Sequence, residues 1–358
     1  MRRIVLEARE PLVTFSTNDS HIFSLCKNSR EQNELCLNSL NVGYSISKID
    51  KNRVYECYLK VNPKNHIQYK DRPKEIFDNK NVFVEYIFNY LNRGVYLILD
   101  LDVSNVNEYR KLNNGVKIHS PLVTGVDSKR NLIELSDFFD FKRYEKKWID
   151  IDSVYKGYKV FNTYFEEYPI SDRDEWIRTT SHLTYIKSEF NYKKIFKENL
   201  VEYISGTAER KHGCTSDYHL VVQRLNSIIQ NYDVSQKIPI LEEVGSGISF
   251  YDFFRKQIKE TDFSSSYNLV QSALLLNKHL FILKKCIYFI QEEENINLHL
   301  DKCIDVIEIN ANFLKFFCMK LYFSSRDTKS YKVSELFKLI NTIEGLEIKL
   351  IKKIIEIL

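Results

Sequence analysis

The stretch Lys117-Ile-His119-Ser-Pro121-Leu-Val-Thr-Gly125-Val-Asp127, continued by Asn131-Leu-Ile-Glu-Leu-Ser-Asp137-Phe-Phe139, holds two apolar segments around a polar turn. Short apolar runs bounded by turn residues read as strands, here Val116–Val126 and Leu132–Leu135 with Asp127–Asn131 as the turn. The run Val95-Tyr-Leu-Ile-Leu-Asp-Leu101 before them is nearly continuously apolar, as a buried strand is. Together they predict a three-stranded meander at about residues 94–137. In a hairpin the start of one strand lies beside the end of the next, so His119 and Asp137 are expected as neighbours. A carboxylate beside an imidazole orients it for general acid–base work. Asp140 is the competing orienter, and Asp127 fits a cap on the turn.

Working outward, the first half alternates helix and strand. Ile22–Leu25 and Leu35–Leu40 read as helices, with Ser29 and Gln32 as a capping signal between them. Tyr55–Val61 alternates as a strand, and Val82–Leu91 has helical spacing that Arg93-Gly94 ends. From about Asp152 the signals turn helical, over Tyr192–Ile204, Tyr218–Ile229, Phe250–Ile258, Ser265–Gln291, Ile296–Phe323 and Val333–Leu358. Leu269, Ala273, Leu276, Leu280, Leu283 and Ile287 form one apolar helix face. The expectation is an α+β protein with an antiparallel sheet in residues 1–160 and a mainly helical domain in residues 161–358.

Composition narrows the function classes. The 358 residues are 44% hydrophobic and 28% charged, which excludes wholesale disorder. Ten glycines argue against a Gly-rich nucleotide-binding design. A net charge of +4 is too mild to predict nucleic acid binding. The chain shows no apolar stretch of membrane-spanning length, so no membrane association is expected. The seven cysteines, Cys26, Cys36, Cys57, Cys214, Cys286, Cys303 and Cys318, lack paired spacing and read as free thiols of a cytoplasmic protein. His212, Cys214 and His219 have no standard zinc spacing, so no metal is expected.

An upstream cysteine on a helix packed against the meander would complete a Cys-His-Asp constellation. The thiolate attacks a carbonyl, the imidazole moves the proton, and the carboxylate holds the tautomer. Cys26 precedes His119 and Asp137 in that order, as do Cys36 and Cys57; Cys36 lies in an apolar helix face and reads as core.

This order of helix, strand with His119 and strand ending in Asp137 resembles papain-like proteins of the bacteriocin-processing peptidase type. The block from His119 through Pro121, Gly125 and Asp127 is similar to that of butirosin biosynthesis protein H and its relatives, which include the amide-forming enzyme of closthioamide assembly. Gly247-Ile-Ser-Phe-Tyr-Asp-Phe-Phe254 resembles their helical C-terminal part. The resemblance implies a papain-like first domain. It also implies an acyltransferase that takes an acyl group from a phosphopantetheine-linked thioester on an acyl or peptidyl carrier protein, through Cys26, and passes it to a small amine. No further cofactor is implied.

The nucleophile of such enzymes sits at a helix N-terminus, where the dipole favours thiolate. A cap within Asn18-Asp19-Ser20 would leave Cys26 nearly two turns into the helix, whereas a start at Ser24 would put it in the first turn. Asn18 and Ser20 are the candidate substrate-binding residues. Without a usable cysteine, Ser20 takes the nucleophile position or the protein is a binding or accessory protein of the same fold. A cysteine peptidase, with water as acceptor, is the other alternative.

Overall fold

Residues 122–127 become a fully buried strand because apolar side chains on both of its faces are covered. This strand, β8 in chain order, is central to the first of two compact units. The protein is described by a computed structural model, over residues 3–49, 52–63, 66–73, 75–112, 118–140, 143–167, 179–186, 191–206, 208–214, 240–260, 267–296, 299–323 and 329–358. Unit 1 comprises the described parts of Met1–Gln32 and Pro63–Glu189, and unit 2 those of Asn33–Asn62, Phe190–Cys214 and Ile238–Leu358. The units are therefore interleaved along the chain rather than divided by one cut at 160/161.

In unit 1 the strands are β1 (Arg3–Val5), β4 (Ile67–Pro73), β5 (Val95–Ile98), β6 (Leu101–Asp102), β7 (Ile118–His119), β8 (Leu122–Asp127), β9 (Leu132–Phe138), β10 (Tyr144–Asp150) and β11 (Thr179–Tyr185). Six of them form an antiparallel sheet in the order β10-β9-β8-β5-β11-β4, and β1 pairs with β8. The expected meander is the β5-β8-β9 part of this sheet. β11 was not foreseen; it comes from the stretch read as mainly helical and inserts between β5 and β4.

The helices of unit 1 are α1 (Thr17–Ser24), α3 (Lys80–Leu91) and α4 (Ile151–Glu167). Asn79 caps α3 by accepting from Asn81 N, and Gly94, at φ +73°, ends the turn that follows it. Phe83, Ile87 and Leu91 of α3 pack with Leu97, Val123, Ile133, Leu135 and Tyr158 in one buried cluster. Burying each such side chain contributes about 1.5–3 kcal/mol.

The expected single strand Val116–Val126 is broken. Pro121 has no N–H to donate to a ladder, and β7 pairs not with β9 but with β6, Leu101 opposite His119. The β8–β9 register also shifts between Val123 and Gly125, a bulge next to the candidate site. At Gly125 a Cβ would meet the Ile4 carbonyl at 3.1 Å and the Trp148 ring at 3.2 Å, so β1 can lie close only over a glycine.

α2 (Ser29–Leu37) carries the chain from unit 1 into unit 2. Its cap is Asn28 rather than Ser29: Asn28 Oδ1 accepts from Glu31 N at 2.9 Å, and Glu31 Oε2 accepts from Lys27 N at 2.7 Å. Unit 2 holds β2 (Val42–Ile49), β3 (Asn52–Leu59), β12 (Ala208–Cys214) and β13 (Ile240–Ser246), an antiparallel sheet in the order β12-β13-β2-β3. Its helices are α5 (Tyr192–Ile204), α6 (Phe250–Glu260), α7 (Tyr267–Glu293), α8 (Asp301–Phe323) and α9 (Lys329–Ile357). The C-terminal region is thus mainly helical, but a sheet built from two distant stretches, 42–59 and 208–246, goes with it. The α7 face read from the sequence, Leu269 through Ile287, is buried. The predicted helix Tyr218–Ile229 lies outside the described residues. Among the described residues no helix is long and apolar enough to cross a membrane.

Candidate active site

Asp137 is the penultimate residue of β9, and His119 ends β7, just before the Pro121 break. His119 Nδ1–H donates to Asp137 Oδ2 at 2.6 Å. Tyr109, on the short 3-10 turn Asn107–Leu112, donates its hydroxyl to the same oxygen at 2.7 Å, and Phe138 N donates to Oδ1 at 2.8 Å. The carboxylate is fully buried and the imidazole is 12% exposed. With Nδ1 carrying the proton, Nε2 is the basic position, and it has no hydrogen-bond partner among the described residues. Asp140 takes no part; its Oδ1 accepts from Arg143 N at 3.4 Å. Asp127 caps the turn, accepting from Lys129 N and Arg130 N.

The electrostatics follow from burial and pairing. Burial alone would raise Asp137, but the charge and hydrogen bond of His119, with His21 and Tyr109, hold it below the usual carboxylate value. Burial alone would lower His119, but Asp137 lifts it above the ordinary imidazole value. Each partner thus favours the other's charged form.

A second imidazole, His21, stands beside this pair. Its Nε2–H donates to the Ser120 carbonyl at 2.8 Å, and its Nδ1 accepts from the Tyr144 hydroxyl at 2.7 Å. Both nitrogens are spent, and burial, against the pull of Asp137, lowers its pKa to about 4, so it is neutral. Ser120 in turn donates its hydroxyl to Asp100 Oδ1 at 2.6 Å. His21 therefore anchors the backbone immediately after His119 to α1.

α1 begins earlier than the sequence indicated. Its N-cap is Ser16, whose hydroxyl accepts from Asp19 N at 3.2 Å. Ser20 is consequently inside the helix and fully buried, its hydroxyl donated to the Ser16 carbonyl at 2.8 Å. Asn18 sits half-buried in the first turn. Asp19 is buried beside it, and burial, against its Ser16 bonds, lifts its pKa to about 7. Its Oδ2 has no hydrogen-bond partner among the described residues.

Cys26 falls just past the C-cap Leu25 and is 1% exposed. It stands at the end of α1 where backbone carbonyls gather, opposite to the end that favours thiolate. Cys36 is buried in unit 2, with its thiol pushed up to about 12 by burial, and Cys57 is half-buried there. The structure therefore joins His119 to Asp137 and leaves the first turn of α1 without a cysteine.

No protein-family model matches the chain, and no curated protein matches it.

Tyr109, Tyr144, the Ser120 carbonyl and the role of His21 had no sequence signal: no spacing links them, and they come together only through tertiary packing. Among the described residues no group of three or more His, Cys, Asp or Glu side chains is placed to hold a metal ion. His212 and Cys214 lie in β12 rather than in a loop entering a helix, and His219 lies outside the described residues.

Proposed function

We propose that unit 1 is a papain-like acyl-transfer domain in which the His119–Asp137 pair acts as a general base without a cysteine nucleophile. The observation that carries this reading is the imidazole itself, held by Nδ1–H on a buried carboxylate with Nε2 unpartnered. The order of α1, His119 and Asp137 in the chain agrees with the papain-like arrangement. The substrates follow from the resemblance: an acyl thioester on a carrier protein and a small amine.

In the reaction the amine nitrogen attacks the thioester carbonyl carbon, and a C–N bond forms. His119 Nε2 takes the proton the amine releases. Collapse of the tetrahedral adduct breaks the C–S bond, and the departing thiolate takes that proton from the imidazolium. The products are an amide and the free carrier thiol. Asp137 stabilises the transient imidazolium, and His21, through Ser120, positions the base. Since the base works in its neutral form, the rate rises with pH through a value above about 6.5, the ordinary imidazole pKa.

The test is mass analysis of protein and products after incubation with an acyl-pantetheine thioester and an amine. The expected result is amide without a lasting protein adduct, lost by about 100- to 10,000-fold in His119→Gln and Asp137→Asn but kept in Cys26→Ala. An adduct that disappears in Cys26→Ala would restore the covalent route and overturn this one. Absence of amide and of thioester cleavage from folded protein would leave a binding or accessory protein of the same fold.

A further inference from the structure

The backbone that carries His119 has little sheet to hold it. β7 is two residues long and pairs only with the two residues of β6. Pro121, just beyond, has no N–H to add a ladder bond. The hold on this segment comes from side chains at Ser120: Asp100 accepts its hydroxyl, and His21 donates to its carbonyl.

The hydrogens around His21 can each be assigned. Its Nε2 lies 2.8 Å from the Ser120 carbonyl, which can only accept, so Nε2 carries the proton. Nδ1 is therefore a bare acceptor, 2.7 Å from the Tyr144 hydroxyl. Ser24 Oγ lies 3.4 Å from that hydroxyl, but its hydrogen goes to the His21 carbonyl at 2.7 Å. Tyr144 must then donate to Nδ1, and its own oxygen is left to accept. Ser136 bonds it there. Thr124, 3.4 Å from Ser136, gives its hydrogen to Glu134 Oε2 at 2.8 Å, so the Ser136 hydrogen is the one that reaches Tyr144. The hydrogens thus run one way, from Ser136 through Tyr144 and His21 to the Ser120 carbonyl.

The chain is dry and packed. Ser24, His21, Thr124 and Ser136 have no exposed surface. Burial of its hydroxyl pushes Tyr144 above the ordinary phenol value, so it keeps its hydrogen. Tyr144 opens β10 opposite Phe138, and its ring meets His21 and Phe138 edge-on.

We propose that Tyr144 is a positioning residue for His119: by fixing His21 as a donor to the Ser120 carbonyl, it holds the segment that carries the imidazole. The role in catalysis rests on the reading of His119 as the base. The hold on the ring does not.

Tyr144→Phe tests this, because it removes the hydroxyl and keeps the ring. Low-field proton NMR of the wild-type chain is expected to show two imidazole N–H signals, His119 Nδ1–H and His21 Nε2–H, assigned by their loss in His119→Gln and His21→Gln. In Tyr144→Phe the His21 signal is expected to vanish, and that of His119 to exchange with water about tenfold faster, the worth of one hydrogen bond. In the amide-forming assay kcat falls about tenfold with KM unchanged. His21→Gln keeps an N–H for Ser120 and an oxygen for Tyr144, so it should retain most of the rate, whereas His21→Leu loses at least as much as Tyr144→Phe. His21→Leu removes the same support and gives the same reading of the His119 signal if Tyr144→Phe does not fold. Two ring signals as persistent in Tyr144→Phe as in wild type overturn the proposal. So does a His21→Gln protein as slow as His21→Leu, which would make His21 a second acid or base. The spectra need no substrate. A wild type that forms no amide therefore removes the acyl-transfer reading, while the spectra still decide whether Tyr144 holds the His119 ring.

Discussion

Among the described residues, each unit contains a histidine bonded to a fully buried carboxylate, and the two pairs differ in what is left over. In unit 1, His119 spends Nδ1 on Asp137 and keeps Nε2. In unit 2, His279 of α7 spends both nitrogens, Nδ1–H on the Leu40 carbonyl at 2.8 Å and Nε2 with Glu347 of α9 at 2.5 Å. Tyr203 stacks on the His279 ring, and Tyr203 and Tyr251 both donate to Glu347 Oε2. His279 is 1% exposed and Glu347 fully buried. The same pair of residue types thus leaves one imidazole nitrogen open in one place and closes both in the other. Chemistry needs an imidazole nitrogen without a protein partner; stability needs that none remain.

The largest effect that would sharpen this contrast is Glu347→Ala. It leaves His279 and two tyrosine hydroxyls without their acceptor in a dry core, and is expected to cost about 3–5 kcal/mol of stability. Asp137→Ala should cost visibly less, because His119 can still turn a nitrogen to water. Chemical denaturation of both variants measures this, and equal costs would break the distinction between open and closed pairs.

The next effect concerns two groups on α1 near the open pair. Asp19 has a folded value of about 7, above the unfolded carboxylate value, so the folded state holds the extra proton between about pH 4 and 7. Its contribution to stability therefore falls as pH rises through that window. His21 has a folded value of about 4, below the unfolded imidazole value, so the unfolded state holds the extra proton between about pH 4 and 6.5. Its contribution rises with pH there. The slopes oppose and nearly cancel in the wild type. Asp19→Asn should expose the His21 slope, a gain of about 3 kcal/mol from pH 4 to 6.5, and should itself be stabilising near neutral pH. Melting curves across pH check this; an unchanged profile would remove the strained carboxylate from the account.

The smallest expected effect is Tyr109→Phe. It deletes one of three donors on Asp137, a charged hydrogen bond worth about 1.5–3 kcal/mol when intact. His119 should stay paired, yet Asp137 should rise and the rate should fall modestly. Proton NMR of the imidazole through a pH titration follows the pair directly, and a titration identical to wild type would show that Tyr109 does not tune it.

The helices Lys80–Leu91, Tyr192–Ile204 and Phe250–Glu260 were legible because their apolar residues repeat at helical spacing within one segment. The central meander was legible for the matching reason, and with it the neighbourhood of His119 and Asp137. Other features were not. β2 pairs with β13, nearly two hundred residues later, and β11 lies between β4 and β5; no local period encodes such partners. The start of α1 was misplaced by three residues because several polar residues in a row could cap it, and only the observed Ser16 bond selects one.

Residue order alone determined that a histidine opening an apolar segment and an aspartate closing the next would meet, since strand alternation and hairpin return are local rules. Tertiary structure alone decided which nitrogen stays open. That depends on Tyr109, His21, Ser120 and Tyr144 arriving from four separate segments, and on α1 ending before Cys26. Burial and partner geometry exist only once the chain has closed on itself.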